Sequence, residues 1–165
     1  MLEALLVQRG AEVIDGVLWR RIRKYRAGGH RSAEVRNVLG LALLASERGL
    51  GVVFLRDRDR DEERQAAIED GIRSAGAAFP KVRVAGGCAV ESIEAAGLWA
   101  LGDRKAEEWT DPKAELARRG HTGVDALVDL LTSSDLRDLP EDSHFARWLR
   151  RVDLAVSARP PAEPA

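Results

Sequence analysis

Cysteine occurs once in 165 residues, at Cys88, which excludes a disulfide framework and a cysteine-built zinc site. Histidine is nearly as scarce, and His30, His121 and His144 lack the spacing of metal ligands. Aromatic residues make up 5% of the chain, although four of them are tryptophans. Only 4 of the 26 basic residues are lysines. An arginine bias of this kind suits bidentate phosphate recognition, and codon usage in a GC-rich genome explains it equally well. Neither sign of charge prevails: 26 basic residues against 27 acidic ones leave a net charge of -1. No global field therefore draws the protein to nucleic acid or membrane, and any electrostatic function must be local. No apolar run reaches the ~18 residues of a membrane span. The opening "MLEALLVQRGAE" has neither a basic n-region nor an apolar h-region, so the expected location is cytoplasmic, without membrane contact.

What is present is the composition of a globular chain, 45% hydrophobic and 32% charged, of about one domain's length. Leu2, Leu5, Leu6 and Val7 form a short helical stripe that ends at Gly10. "AEVIDGVLWRRIRKY" is rich in β-branched and aromatic residues and predicts a strand, with Gly28-Gly29 as punctuation. Ser32 is placed to cap a helix that closes near Gly49. "GVVFL" then reads as a strand buried on both faces, residues 60–75 as a helix, "KVRVAGG" as another strand and "AVESIEAAGLWALGD" as the next helix. Strands that alternate with helices imply crossover connections, hence an α/β fold with a mainly parallel sheet and helices on both faces. Beyond Asp111 only helices follow, with Thr122 or Gly123 starting one and Ser143 capping another. The expected layout is an α/β core over 1–110, a helical appendage of the same domain over 111–155 and a disordered tail over 156–165.

"GVVFLRDRDRDEERQ" carries the chemistry. The carboxyl end of a buried parallel strand opens into the crevice where α/β proteins bind ligands. In extended backbone, residues two apart point to one side, so Asp57 and Asp59 can share a Mg²⁺ ion, with Mn²⁺ as substitute, while Arg58 points away. Such an ion would serve phosphoryl-transfer chemistry. The alternative is that these acids simply favour the N-terminus of the following helix, the reading that also covers Asp61, Glu62 and Glu63. A second acidic group comprises Glu91, Glu94 and Asp103, of which Glu91 and Glu94 share a helical face able to turn one carboxylate into the same crevice.

"WRRIRKYRAGGHR" gathers Arg20, Arg21, Arg23, Lys24 and Arg26 beside Trp19 and Tyr25. Arginine contacts to phosphate with aromatic stacking suit nucleic acid, and an ordinary solvated edge is the plainer alternative. Trp99, Trp109 and Trp148 read as packing residues, His121 and His144 as structural or solvated, and Cys88 as a small buried hydrophobe. The Gly86-Gly87 pair reads as a tight strand-to-helix turn.

In order, the Asp-x-Asp after a buried strand, "SIEAAGLWALGD", "DPKAEL" and "SHFARWLRRV" resemble the TOPRIM-like proteins of an uncharacterised bacterial family, over roughly residues 1 to 153. The resemblance implies the Mg²⁺-binding sheet of topoisomerases, primases and defence nucleases, and members that stand beside ATPases in defence or mobile loci. It implies a Mg²⁺-dependent phosphoesterase or nuclease acting on DNA or RNA, with Asp57 and Asp59 as metal ligands and Glu94 as a supporting catalytic acid. The family's first strand and its catalytic Glu have no counterpart here, because the sequence opens within the helix that should follow them. A sheet without that strand has an edge to cover. This favours a partner or a homo-oligomer, and offers a second expectation: a catalytically degenerate TOPRIM-like subunit that regulates an ATPase.

Overall fold

A seven-residue helix, α1 (Leu2–Gln8), buries Leu5 and Leu6. The chain then runs without regular structure from residue 11 to 14. The computed structural model describes residues 2–14, 22, 29, 32–59, 61–90, 92–136 and 139–157. The expected strand in "AEVIDGVLWRRIRKY" therefore falls largely outside the described residues, as do Arg20, Arg21, Arg23, Lys24, Arg26 and Glu91.

Ser32 accepts the Val35 amide on its hydroxyl and starts α2 (Ala33–Arg48), which Gly49 closes with a φ of 65°. β1 (Val52–Asp57) follows, then α3 (Glu62–Ala78) and β2 (Val84–Ala89). The two strands pair in parallel, in register from Val52↔Val84 to Asp57↔Ala89, with α3 as the crossover. The chain is thus a mixed α/β protein whose sheet, among the described residues, has two strands.

Alternation of side chains divides the sheet into two faces. Val52, Phe54 and Cys88 join Val35, Val38, Leu39, Ile68 and Ala75 in the core under α2 and α3. Val53, Leu55 and Ala85 face a second core built by the later helices. These are α4 (Glu94–Ala100), α5 (Pro112–Arg118), α6 (Gly123–Ser133) and α7 (His144–Ser157), with a 3₁₀ turn at Ala106–Glu108. Helices lie on both faces, as the sequence predicts. β1 is less enclosed than its apolar run suggests: Val52 and Phe54 are buried, whereas Val53 and Leu55 are only partly covered, since α7 sits mainly over β2.

Gly86 and Gly87 do not form a turn; they lie inside β2 because two large rings need their space. A Cβ on Gly86 would stand 2.2 Å from Phe54 Cζ, and one on Gly87 3.1 Å from Trp148 Cδ1. The strand begins later than "KVRVAGG" implies, because Val82 donates to the Phe79 carbonyl in a turn.

The segment expected as an appendage completes the core. Trp148 of α7 is 1% exposed and its indole N–H donates to the Phe54 carbonyl at 2.9 Å. α1 joins these helices: Gln8 donates to the Thr132 carbonyl of α6, and Arg9 pairs with Asp153 of α7. α7 continues through Ser157, two residues into the segment read as a tail. Among the described residues no helix is long and apolar enough to cross a membrane.

Candidate functional site

Asp57 is the last residue of β1, beside Ala89, and the Arg58 amide extends the ladder by one bond to the Ala89 carbonyl at 3.0 Å. The chain then turns sharply. Asp59 takes a φ of 50°, a conformation that aspartate tolerates better than most residues. The Asp61 amide returns to the Arg58 carbonyl, and Asp61 caps α3 by accepting the Arg64 amide at 3.0 Å. Asp61 is therefore a helix-capping acid, as the plainer reading of this run has it, and Glu62 and Glu63 occupy the first turn.

One residue organises the loop. Arg64 donates to the carbonyls of Asp57 at 3.0 Å and Arg58 at 2.9 Å, and to the Asp59 carboxylate at 2.5 Å. Its guanidinium also lies 3.7 Å from carboxylate oxygens of Asp61 and of Glu34 on α2. No local pattern in "DEERQ" singles out Arg64; its only signal is the spacing of three from a capping aspartate.

The Asp57 side chain is placed differently from that of Asp59. One carboxylate oxygen accepts the Ile93 amide, which leads into α4, at 3.1 Å, and the other meets no donor among the described residues. Burial pushes this carboxyl above its ordinary 3.8; the Ile93 amide lowers it, and the charges of Asp59 and Glu94 raise it further. Asp57, Asp59 and Glu94 thus share an electrostatic neighbourhood, although the Asp59 carboxylate turns to Arg64.

Glu94 begins α4 and makes no hydrogen bond or ion pair with the described residues. It also lines a cleft of about 240 Å³ between α4, α5 and α6, together with Lys113, Leu116, His121 and Leu127. Asp103, the other described member of the second acidic group, is spent on structure. Burial raises its carboxyl, but the Lys105 amide, the Trp109 indole and Arg119 hold it below the usual range.

Among the described residues no three His, Cys, Asp or Glu side chains form a metal cage. A magnesium ion does not need one, because it keeps several waters and takes one or two carboxylates together with phosphate oxygens. Asp57, a half-buried residue with one carboxylate oxygen free of donors among the described residues and two acids acting on it, fits that role. Asp59 fits only once its carboxylate leaves Arg64.

Cys88 is 5% exposed in the α2/α3 core, and burial pushes its thiol up to about 11, which leaves it protonated and unreactive at neutral pH. His144 opens α7, and burial together with the Arg147 and Arg58 charges lowers its pKa. Trp99 and Trp148 are buried, as packing residues should be. Comparison with known proteins adds no relative: no family profile, curated protein or solved structure matches the chain.

Proposed function

We propose that the mouth of β1 is the metal site of a TOPRIM-like, Mg²⁺-dependent phosphoesterase that cleaves nucleic acid, in a defence or mobile-element setting. The observation that carries this reading is the half-buried carboxylate of Asp57 at the end of a parallel strand, coupled to the charges of Asp59 and Glu94. The Asp57 carboxyl, whose ionisation burial and the charges of Asp59 and Glu94 make costly, would be relieved by a divalent cation. Asp57 would hold the ion, with Asp59 as second ligand after exchange of its Arg64 contact, and Glu94 would serve as the supporting acid. A bound Mg²⁺ would polarise a phosphate oxygen and orient a water. Arg64 keeps the loop in place through its two carbonyl bonds, whichever partner Asp59 takes.

The test is cleavage of DNA and RNA substrates in the presence and absence of Mg²⁺. Activity should require the ion and disappear in Asp57→Asn and Asp59→Asn while both variants retain the wild-type circular dichroism. Cleavage that survives both substitutions would refute the assignment.

The ion pair between Asp59 and Arg64 favours a second reading, a catalytically degenerate subunit that regulates an ATPase partner. In that case the guanidinium occupies the cation's place permanently. The purified protein would then be inert toward nucleic acids with Mg²⁺ or Mn²⁺ and would co-elute with an ATPase partner.

A further inference from the structure

Beside the acidic mouth, at the C-terminal half of β2, α3 and α7 enclose a cavity of about 30 Å³, room for one water-sized group. Gly87 and the Trp148 ring are part of its wall, and Gln65, His144 and Arg147 reach it from the two helices. None of these three side chains makes a hydrogen bond or ion pair with a described residue, so each offers donor capacity to the cavity.

The acids near it are already occupied. Glu69 is held by two bonds from Arg151, at 2.9 and 2.8 Å, and Arg151 also donates to the Gly86 carbonyl at 2.8 Å. Glu107, whose charge acts with that of Arg147, accepts the His144 amide at 2.9 Å and the Phe145 amide at 3.3 Å. Arg147 makes no ion pair with a described residue, so its guanidinium is the cationic donor at the cavity. A small cavity with uncommitted donors, one of them a guanidinium, suits an anionic oxygen.

We propose that Gln65, His144 and Arg147 form a phosphate-binding subsite that takes one phosphoryl oxygen, independent of the acids at Asp57 and Glu94. That the phosphate belongs to a nucleic-acid backbone rests on the function proposed above; the anion selectivity does not.

The measurement is binding of a short fluorescent single-stranded oligonucleotide in EDTA, with inorganic phosphate as competitor and in a parallel titration. Arg147 is exposed, so Arg147→Ala should leave the thermal midpoint nearly unchanged. It should weaken oligonucleotide and phosphate binding about five- to tenfold, the loss of one charge-assisted contact at a partly solvated site. Gln65→Ala should weaken both by less, and Arg147→Lys should restore part of the loss. Phosphate binding that depends on Arg147, without oligonucleotide binding, would support the subsite and remove the nucleic-acid reading. Equal binding in wild type, Arg147→Ala and Gln65→Ala, or no binding of either ligand, would mean that the cavity holds water only and would overturn the proposal.

Discussion

Arg64 is the residue on which the loop after β1 depends, since a single guanidinium satisfies two backbone carbonyls and one carboxylate. Arg64→Ala should cost about 1.5–3 kcal/mol in denaturant unfolding, as hydrogen bonds to a charged donor typically do when removed. If the mouth of β1 binds a divalent ion, the same variant should bind it more tightly, because Asp59 loses its competing partner. Asp57 makes the opposite contribution. Its carboxyl is raised above 3.8 in the fold, so between the unfolded and the folded value the native state holds more protons than the unfolded state. Stability therefore falls as pH rises through that window, and the cost is fully present at neutral pH. Asp57→Asn retains an oxygen for the Ile93 amide, so it should melt higher than wild type at pH 7 without metal. The difference should vanish below the ordinary aspartate range, and a lower melting point at pH 7 would contradict this assignment. The strand that carries Asp57 was legible in the sequence because the apolar run "GVVFL" closes two residues before it. Arg64 was not, because its role depends on a side chain folding back over a turn whose shape no local pattern encodes.

At the scale of elements, helix boundaries followed their caps, and the strand that was misjudged shows where pattern reading fails. Ser32, Asp61 and Ser143 each cap as their residue type suggests: their side chains accept the amides of Val35, Arg64 and Ala146. The glycine pair lies in a strand and not in the expected turn, and locally glycine in the one is indistinguishable from glycine in the other. What decides is the size of two side chains far away in sequence, Phe54 over Gly86 and Trp148 over Gly87. Gly86→Ala would push a methyl group to 2.2 Å from the Phe54 ring, closer than any real contact. The variant should lose about 1–3 kcal/mol or more by thermal or urea unfolding. Phe54→Leu in the same background should recover part of it, since the smaller side chain yields the space. A Gly86→Ala protein as stable as wild type would show that the ring does not lie over β2.

At the scale of the whole molecule, the two-stranded parallel sheet of the described residues has too little of its own to be stable, and its persistence depends on the helical layers on its two faces. That layering was legible from the alternation of strand and helix signals. The role of the last third of the chain was less so: α7 reads as part of a helical appendage packed on the sheet layer, and its Trp148 proves fully buried and bonded to β1. Long-range packing of this kind leaves only an apolar stripe in the sequence and no indication of its partner. The candidate site inherits the same division. Its acids come from β1, the following loop and α4, and its phosphate-facing donors from α3 and α7, so it exists only when both layers are assembled.

The central claim, that Asp57 holds a divalent cation, is tested most directly by titrating Mn²⁺ into the metal-free protein and following the free ion by electron paramagnetic resonance. Wild type should remove one Mn²⁺ per chain from solution, in competition with Mg²⁺, and Asp57→Asn should remove none. Equal Mn²⁺ uptake by the two proteins, or no uptake by wild type, would contradict it.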